Sequence, residues 1–506
     1  LAIVAGVAIV SALFALHAAS SSVLVTTVDI QETPAIVYRP ASGQRGPVVL
    51  IAHGFAGSQQ LMQSFALTCA RNGYTAVTFD FPGHGRNPQP LTGSITDVNG
   101  ATRTLLSDTT LVARYARGLG DGRLAVLGHS MASDIVVRFA QAEPDVGATI
   151  AVSMFSPAVT ATSPRNLLVI VGDWESMLKR EALRAVGLAT APAAAQAGVT
   201  YGDFSMGSAR RVAFSAHVEH VSVLFSEDSM RETLGWLDHS FGVTRSRPPV
   251  FDHRGPWILL LLAGVVLLAR PLSQWLPRVA SPPVGAGLPW SRLWIALSVP
   301  MLATPLVLRV TPTHFLPVLV GDYLAVHFAL YGLVTWICLV WLRRTRASRH
   351  GRTLPRTEPR ATLRLAGASA AVIAYGFIAL VWPINEFVTS FVPGVQRAVL
   401  VLVMLIGTLC YFLSDEWLTR GAGSARGAYG VSKVAFIVSL SIAVGLDLER
   451  LFFLIIIVPI IVLFFIVYGL FSKWSYERSG HPFVAGFANA VAFAWAIGVT
   501  FPLLAG

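Results

Sequence analysis

The chain has 506 residues, of which 54% are hydrophobic and only 13% charged. Soluble domains average about 25% charged residues, so the composition points to a membrane protein, and the length allows more than one domain. The net charge of +11 comes from arginines clustered beside apolar runs, which fits the positive-inside bias of membrane loops rather than nucleic-acid binding. The three cysteines, Cys69, Cys338 and Cys410, give no basis for a disulfide framework.

Residues 1–19 are apolar, with His17 as the only ionisable side chain. A cleavage-like stretch at Ala18–Ser20 leaves a signal peptide open. We read residues 1–21 as an N-terminal transmembrane anchor helix.

Residues 22–245 have the texture of a soluble α/β domain. Short runs rich in Val and Ile predict strands at Val23–Ile30, Ala35–Arg39, Val48–Ala52, Ala76–Phe79, Leu124–Leu127, Ile150–Met154, Leu167–Val171 and Val212–Ser215. Helical patterns fall at Gln59–Arg71, Leu105–Arg117, Ala132–Gln141, Ser176–Val186 and Asp228–His239. Strands alternating with helices imply a mostly parallel sheet with helices on both faces.

A linker at 246–256 leads into a helical half, 257–506. Its apolar runs predict about eight spans: 257–276, 291–310, 316–342, 365–383, 396–413, 431–447, 451–472 and 482–503. The loop 343–364 carries eight arginines against Glu358 and is expected on the cytoplasmic side. Arg270, Arg278, Arg420, Arg426, Lys433, Lys473 and Arg478 then also fall inside. Counting spans outward places residues 22–245 on the extracytoplasmic side. An anchor at 1–19 with its N-terminus inside gives the same answer. The expected location is a plasma or bacterial-type inner membrane.

Five stretches stand out. Val126-Leu127-Gly128-His129-Ser130-Met131-Ala132 is an apolar strand running into Gly-x-Ser-x-Ala, followed by a helical pattern. Val48–Ala52 runs into His53-Gly54-Phe55. Phe79-Asp80-Phe81-Pro82-Gly83-His84-Gly85 follows the next strand. After Leu167–Val171 comes Gly172-Asp173-Trp174-Glu175, and after Val212–Ser215 come His217 and His220.

In this order the motifs resemble those of the α/β-hydrolase family. Gly-x-Ser-x-Ala is similar to the family's nucleophile elbow, with Ala132 where Gly is more usual. The resemblance implies Ser130 as nucleophile, with the backbone N–H groups of Phe55 and Met131 as the oxyanion hole. It places the acid three residues after the glycine, at Glu175, with Asp173 as the alternative. It favours His220 over His217 as the base, because a final helix follows closely. Asp80 and His84 belong to a structural turn. The short stretch between Met154 and Leu167 leaves no room for the lid that the family often inserts there.

The implied reaction is acyl transfer to water, with no metal or organic cofactor. The expected substrate is a hydrophobic or lipid-like carboxylic ester, and the expected partners are membrane lipids, not nucleic acid. A homo-oligomer formed through the helical half stays open. Two alternatives are carried: a peptide or amide hydrolase or acyltransferase using the same three side chains, and a transporter or receptor with a hydrolase-like binding domain.

In the helical half, Asp322 reads as a residue near the outer interface, solvated there, with His327 in the same run. Ser414–Arg420 is partly similar to the Glu-Glu-x-x-x-Arg motif of intramembrane CAAX-type proteases, but the downstream histidines are missing. An interfacial charge cluster with Glu416 and Arg420 one turn apart is the better reading.

Overall fold

The computed structural model describes residues 1–94, 97, 99–350 and 359–505. It divides into two compact units. The first holds Ala8–Leu261 with two later stretches, Ile384–Phe391 and Pro502–Gly506. The second holds Leu1–Val7, Leu262–Pro383 and Val392–Phe501.

The first unit is built on a nine-stranded sheet. Its strands are β1 (Val23–Ile30), β2 (Thr33–Pro40), β3 (Val48–Ala52), β4 (Thr75–Phe79), β5 (Leu124–His129), β6 (Val146–Val152), β7 (Leu167–Gly172), β8 (Thr200–Tyr201) and β9 (Arg210–Ser215). They lie in the order β1-β2-β4-β3-β5-β6-β7-β9-β8. The run from β4 to β9 is parallel throughout, while β1, β2 and β8 pair antiparallel at the two edges.

Side chains alternate across the sheet with period two. Val49, Ile51, Ala125, Leu127, Leu168 and Ile170 enter one core, against α2 (Gln63–Arg71) and α6 (Glu227–Phe241). Val48, Leu50, Leu124 and Val126 enter the opposite core, against α3 (Ala101–Arg117) and α4 (Met131–Ala142). Val169 and Val171 face α5 (Ser176–Thr190) beside α4. Both faces are therefore dry, which is why the inner strands read as unbroken apolar runs. Each such buried Val, Leu or Ile contributes roughly 1.5–3 kcal/mol. A one-residue register slip would exchange the two cores.

Two late stretches of chain complete this unit. Leu503 donates its N–H to Gly83 O at 2.9 Å and accepts from Leu91 N at 2.8 Å. Ser390 donates its N–H to Ser58 Oγ at 2.8 Å, and its hydroxyl to Gln60 Oε1 at 2.9 Å.

The N-terminal segment forms α1 (Ala2–Ala18). The helical unit contains α7 (Arg254–Ser273, from its second half), α8 (Trp290–Arg309), α9 (Gly321–His350) and α10 (Pro359–Gly376). A π-turn at Phe377–Val381 carries α10 into α11 (Trp382–Phe387). Then follow α12 (Val395–Thr419), α13 (Ala428–Leu446), α14 (Leu448–Ser479) and α15 (Phe483–Thr500). Among the described residues, eight helical segments are long and apolar enough to cross a membrane. Arg352, Arg356 and Glu358 of the expected basic loop lie outside the described residues.

Three sequence readings of this half need correction. Asp322 is only 3% exposed. Its carboxylate accepts the N–H of Tyr323 at 2.8 Å and of Phe315 at 3.2 Å, so the chain before α9 folds over it. Lys433 is not a loop residue: it is buried in α13 and ion-paired with Asp415, under the ring of Tyr429. Glu416, one turn from Arg420, is not an exposed surface charge either. It is fully buried, 3.4 Å from Arg420 and accepting from Ser472 Oγ at 2.6 Å. Buried charges persist when paired or hydrogen-bonded: Lys433 and Asp415 pair with each other, Glu416 pairs with Arg420, and Asp322 is held by two backbone N–H groups.

Candidate active site

The carboxyl ends of β3, β5, β6, β7 and β9 converge on one edge of the sheet, and each delivers one part of the site. β5 ends at His129, and the chain turns into α4 through Ser130 at φ 53 and ψ −117. A non-glycine residue at positive φ is strained. The turn is held by Ser130 N–H on Val152 O at 2.9 Å, and by Ser133, whose hydroxyl donates to Ser130 O at 2.5 Å. Gly128 is required because a Cβ there would strike the carbonyl of Ala132.

Ser130 Oγ lies 2.8 Å from His220 Nε2. His220 Nδ1 lies 2.6 Å from Glu175 Oε1. The structure thus brings three of the expected residues into one hydrogen-bonded row. The Glu175 side chain is 6% exposed, that of His220 38%. Burial pushes the Glu175 carboxyl up, but hydrogen bonds from His220, Ser153 and the Gly172 N–H outweigh it and hold it below its ordinary value. An ionised acid behind an imidazole fixes its tautomer, and the imidazole can then take a proton from the hydroxyl.

The two alternative residues do not join the row. Asp173 turns its carboxylate, 43% exposed, towards Lys179 Nζ at 2.6 Å. His217 sits exposed on the loop after β9, at φ 59.

The loop after β3 runs against the serine turn. A Cβ on Gly54 would lie 2.9 Å from His129 Nδ1 and 3.0 Å from Ser130 Cβ, so only glycine allows this approach. Phe55 is the next residue in that loop, and Met131 opens α4. His53 anchors the loop: its Nδ1–H donates to Gly54 O at 2.8 Å, and its Nε2 accepts the Phe81 N–H at 3.1 Å. Asp80 gathers the neighbouring turn through N–H groups of Gln59 (2.7 Å) and Arg86 (2.9 Å). His84 Nδ1 lies 3.0 Å from Pro82 O within that turn.

Two contributors were missed in the sequence. Ser153, at φ 50 just past β6, donates its hydroxyl to Glu175 Oε2 at 2.7 Å. His129 donates Nε2–H to His220 O at 2.9 Å. Burial, then the neighbouring His220, pushes the His129 imidazole down to about 3, so it stays a neutral donor. His129 lay inside a quoted motif and could have been singled out, whereas Ser153 carries no local signal. Among the described residues no group of three His, Cys, Asp or Glu side chains is placed to hold a metal ion.

Residues 43–191 match the family model described as "Serine aminopeptidase, S33". The sheet domain has the α/β-hydrolase fold. The matched stretch of the hydrolase domain runs from just before β3 to the end of α5, and so includes Ser130 and Glu175. No curated protein matches the chain in sequence.

Among solved structures, the hydrolase domain is similar to a hypothetical protein from Pseudomonas aeruginosa. Identity is 13% and the TM-score 0.33, over 44% of this chain and 95% of that one. It is also similar to a "predicted CIB-like hydrolase" from Thermoplasma acidophilum (15% identity, TM-score 0.33, 43% and 98% of the two chains). A third is an epoxide hydrolase variant from Vigna radiata (13% identity, TM-score 0.30, 43% and 98% of the two chains).

Proposed function

We propose that this chain is a membrane-anchored serine hydrolase that cleaves hydrophobic carboxylic esters through Ser130, His220 and Glu175. The observation that carries the reading is the unbroken row Ser130 Oγ, His220 Nε2, His220 Nδ1 and Glu175 Oε1, with steps of 2.8 and 2.6 Å. Ser130 Oγ attacks the ester carbonyl carbon as its proton passes to His220 Nε2. The N–H groups of Phe55 and Met131 receive the oxyanion. The carbon–oxygen bond to the alcohol breaks, and His220 returns the proton to that oxygen. Water, deprotonated by the same nitrogen, then releases the carboxylic acid and restores Ser130.

Membrane anchoring is supported by the surface of the helical unit. Side chains such as Ile337, Leu402, Ile406, Val434 and Ile466 are more than half exposed. An outer surface of that kind suits lipid and is costly in water. The extracytoplasmic reading gains support from span parity. Ile384–Phe391 begins in the last turn of the fourth apolar segment and runs past its end, Pro502–Gly506 follows the eighth, and both belong to the unit of the sheet. An even number of crossings separates each of them from Arg254. An ester with an apolar chain partitions into the bilayer, so anchoring raises its local concentration.

The description of the matching family model favours a second reading, in which the same three side chains cleave an amide. The test is turnover of p-nitrophenyl acetate by the full chain in detergent. The proposal expects hydrolysis that Ser130→Ala lowers by at least about a thousandfold. Equal turnover by the variant would overturn it, and turnover of amino-acid anilides without ester turnover would establish the second reading.

A further inference from the structure

Four large exposed apolar side chains neighbour, along the chain, residues that form or hold the row: Phe155 (64%), Trp174 (65%), Met177 (69%) and Val221 (43%). Large exposed apolar groups that gather beside a reactive centre call for an explanation. Each is tied to a residue of the row. Phe155 donates its N–H to Ser133 Oγ at 3.3 Å, and that hydroxyl holds the carbonyl of Ser130. Trp174 precedes Glu175, and its N–H is fixed on Val218 O at 3.1 Å, in the loop that carries His220. Met177 lies in the first turn of α5, just past Glu175, and Val221 follows His220.

Two of the charged groups near them are already engaged. Lys179 pairs with Asp173 at 2.6 Å. Glu219 accepts the N–H groups of Val221 and Ser222 at 2.9 and 2.8 Å.

The sheet order decides which part of a substrate meets this rim of four side chains. From β3 the strands run β5, β6, β7 and β9. The oxyanion loop, with Phe55, follows β3 on one side of Ser130. His220 and all four rim residues follow β6, β7 and β9 or open α5 beside β7, on the other side. His220 Nε2 must hand its proton to the leaving oxygen, so the alcohol part of an ester has to lie on the His220 side.

We propose that Phe155, Trp174, Met177 and Val221 form the binding site for an apolar alcohol moiety, the leaving group of the ester. The inference rests on the ester-hydrolase reading above and adds which end of the substrate carries the apolar chain. The bond that breaks joins the acyl carbon to the oxygen of that alcohol, which departs with the proton taken from Ser130.

Two matched series test this with the full chain in detergent: alkyl acetates from ethyl to octyl, and methyl alkanoates from acetate to octanoate. For the parent, kcat/KM is expected to climb roughly tenfold or more from ethyl to octyl acetate. Trp174→Ser combined with Met177→Ser should remove that climb, and Trp174→Phe combined with Met177→Leu should keep it. A climb confined to the methyl alkanoates, or one that the serine substitutions leave intact, overturns the assignment. Should a fluorophosphonate label Ser130 while neither series turns over, the ester reading fails and the rim assignment falls with it. Absence of both labelling and turnover removes the serine-hydrolase reading itself.

Discussion

Ser153 donates its hydroxyl to Glu175 Oε2 at 2.7 Å, on the carboxylate oxygen that His220 does not use. The acid is thus gripped from both sides, with Gly172 N–H adding a third bond at 2.8 Å to the same oxygen. A hydrogen bond to a charged group is worth about 1.5–3 kcal/mol, or roughly ten- to a hundredfold in rate if it acts on the reacting geometry. Ser153→Ala is expected to lower kcat/KM by that factor and leave the far-ultraviolet circular dichroism unchanged. An activity equal to the parent would show that Gly172 and His220 hold the acid unaided.

The choice of acid can be read from a pair of variants. Glu175→Gln removes the charge behind His220 and should cost roughly a thousand- to ten-thousandfold in kcat. Asp173→Asn breaks only the partly exposed pair with Lys179, and should change kcat by less than about threefold. The reverse ranking would transfer the role to Asp173.

Asp108 gives a pH signature for the fold. Burial pushes its carboxyl up from 3.8 to about 6, although Thr33 Oγ1 donates to it at 2.6 Å. The folded domain therefore binds this proton more tightly than the unfolded chain. Stability from this group is present below its unfolded value and is lost as pH rises towards 6. At 1.36 kcal/mol per unit the loss is about 3 kcal/mol at most. Asp108→Asn keeps an acceptor for Thr33 without the charge. Its thermal midpoint should gain on the parent between pH 4 and 7, and a constant offset across that range would contradict this.

The inner strands were legible because a sheet covered on both faces needs uninterrupted apolar runs, and Val48–Ala52 and Leu167–Val171 are such runs. β6 was read too late in the chain. Gly147 and the buried Thr149 mask its first half, and the turn at Ser153 ends it before Met154. The hairpin between β1 and β2 turns through Gln31 and Glu32, both at positive φ, without the Asn or Gly that usually announces such a turn. Two-residue β8 has no pattern of its own.

For the row, chain order and strand ends were enough to single out the three side chains that the fold brings together, Ser130, Glu175 and His220, because each follows a recognisable strand. Ser153 and His129 act on partners 22 and 91 residues away. Nothing local marks such contacts. The same holds for Lys433, which lies near the end of an apolar run and reads as a loop cation. Asp415, 18 residues earlier on α12, draws it into the helical interior instead.

The central claim is that Ser130 is an activated nucleophile. Its most direct test is labelling of the full chain with a fluorophosphonate, followed by peptide mapping of the adduct. The account predicts one modified site, Ser130, with labelling lost in Ser130→Ala and slowed in His220→Ala. Well-folded parent protein that takes no label, or takes it at another serine, would contradict the account.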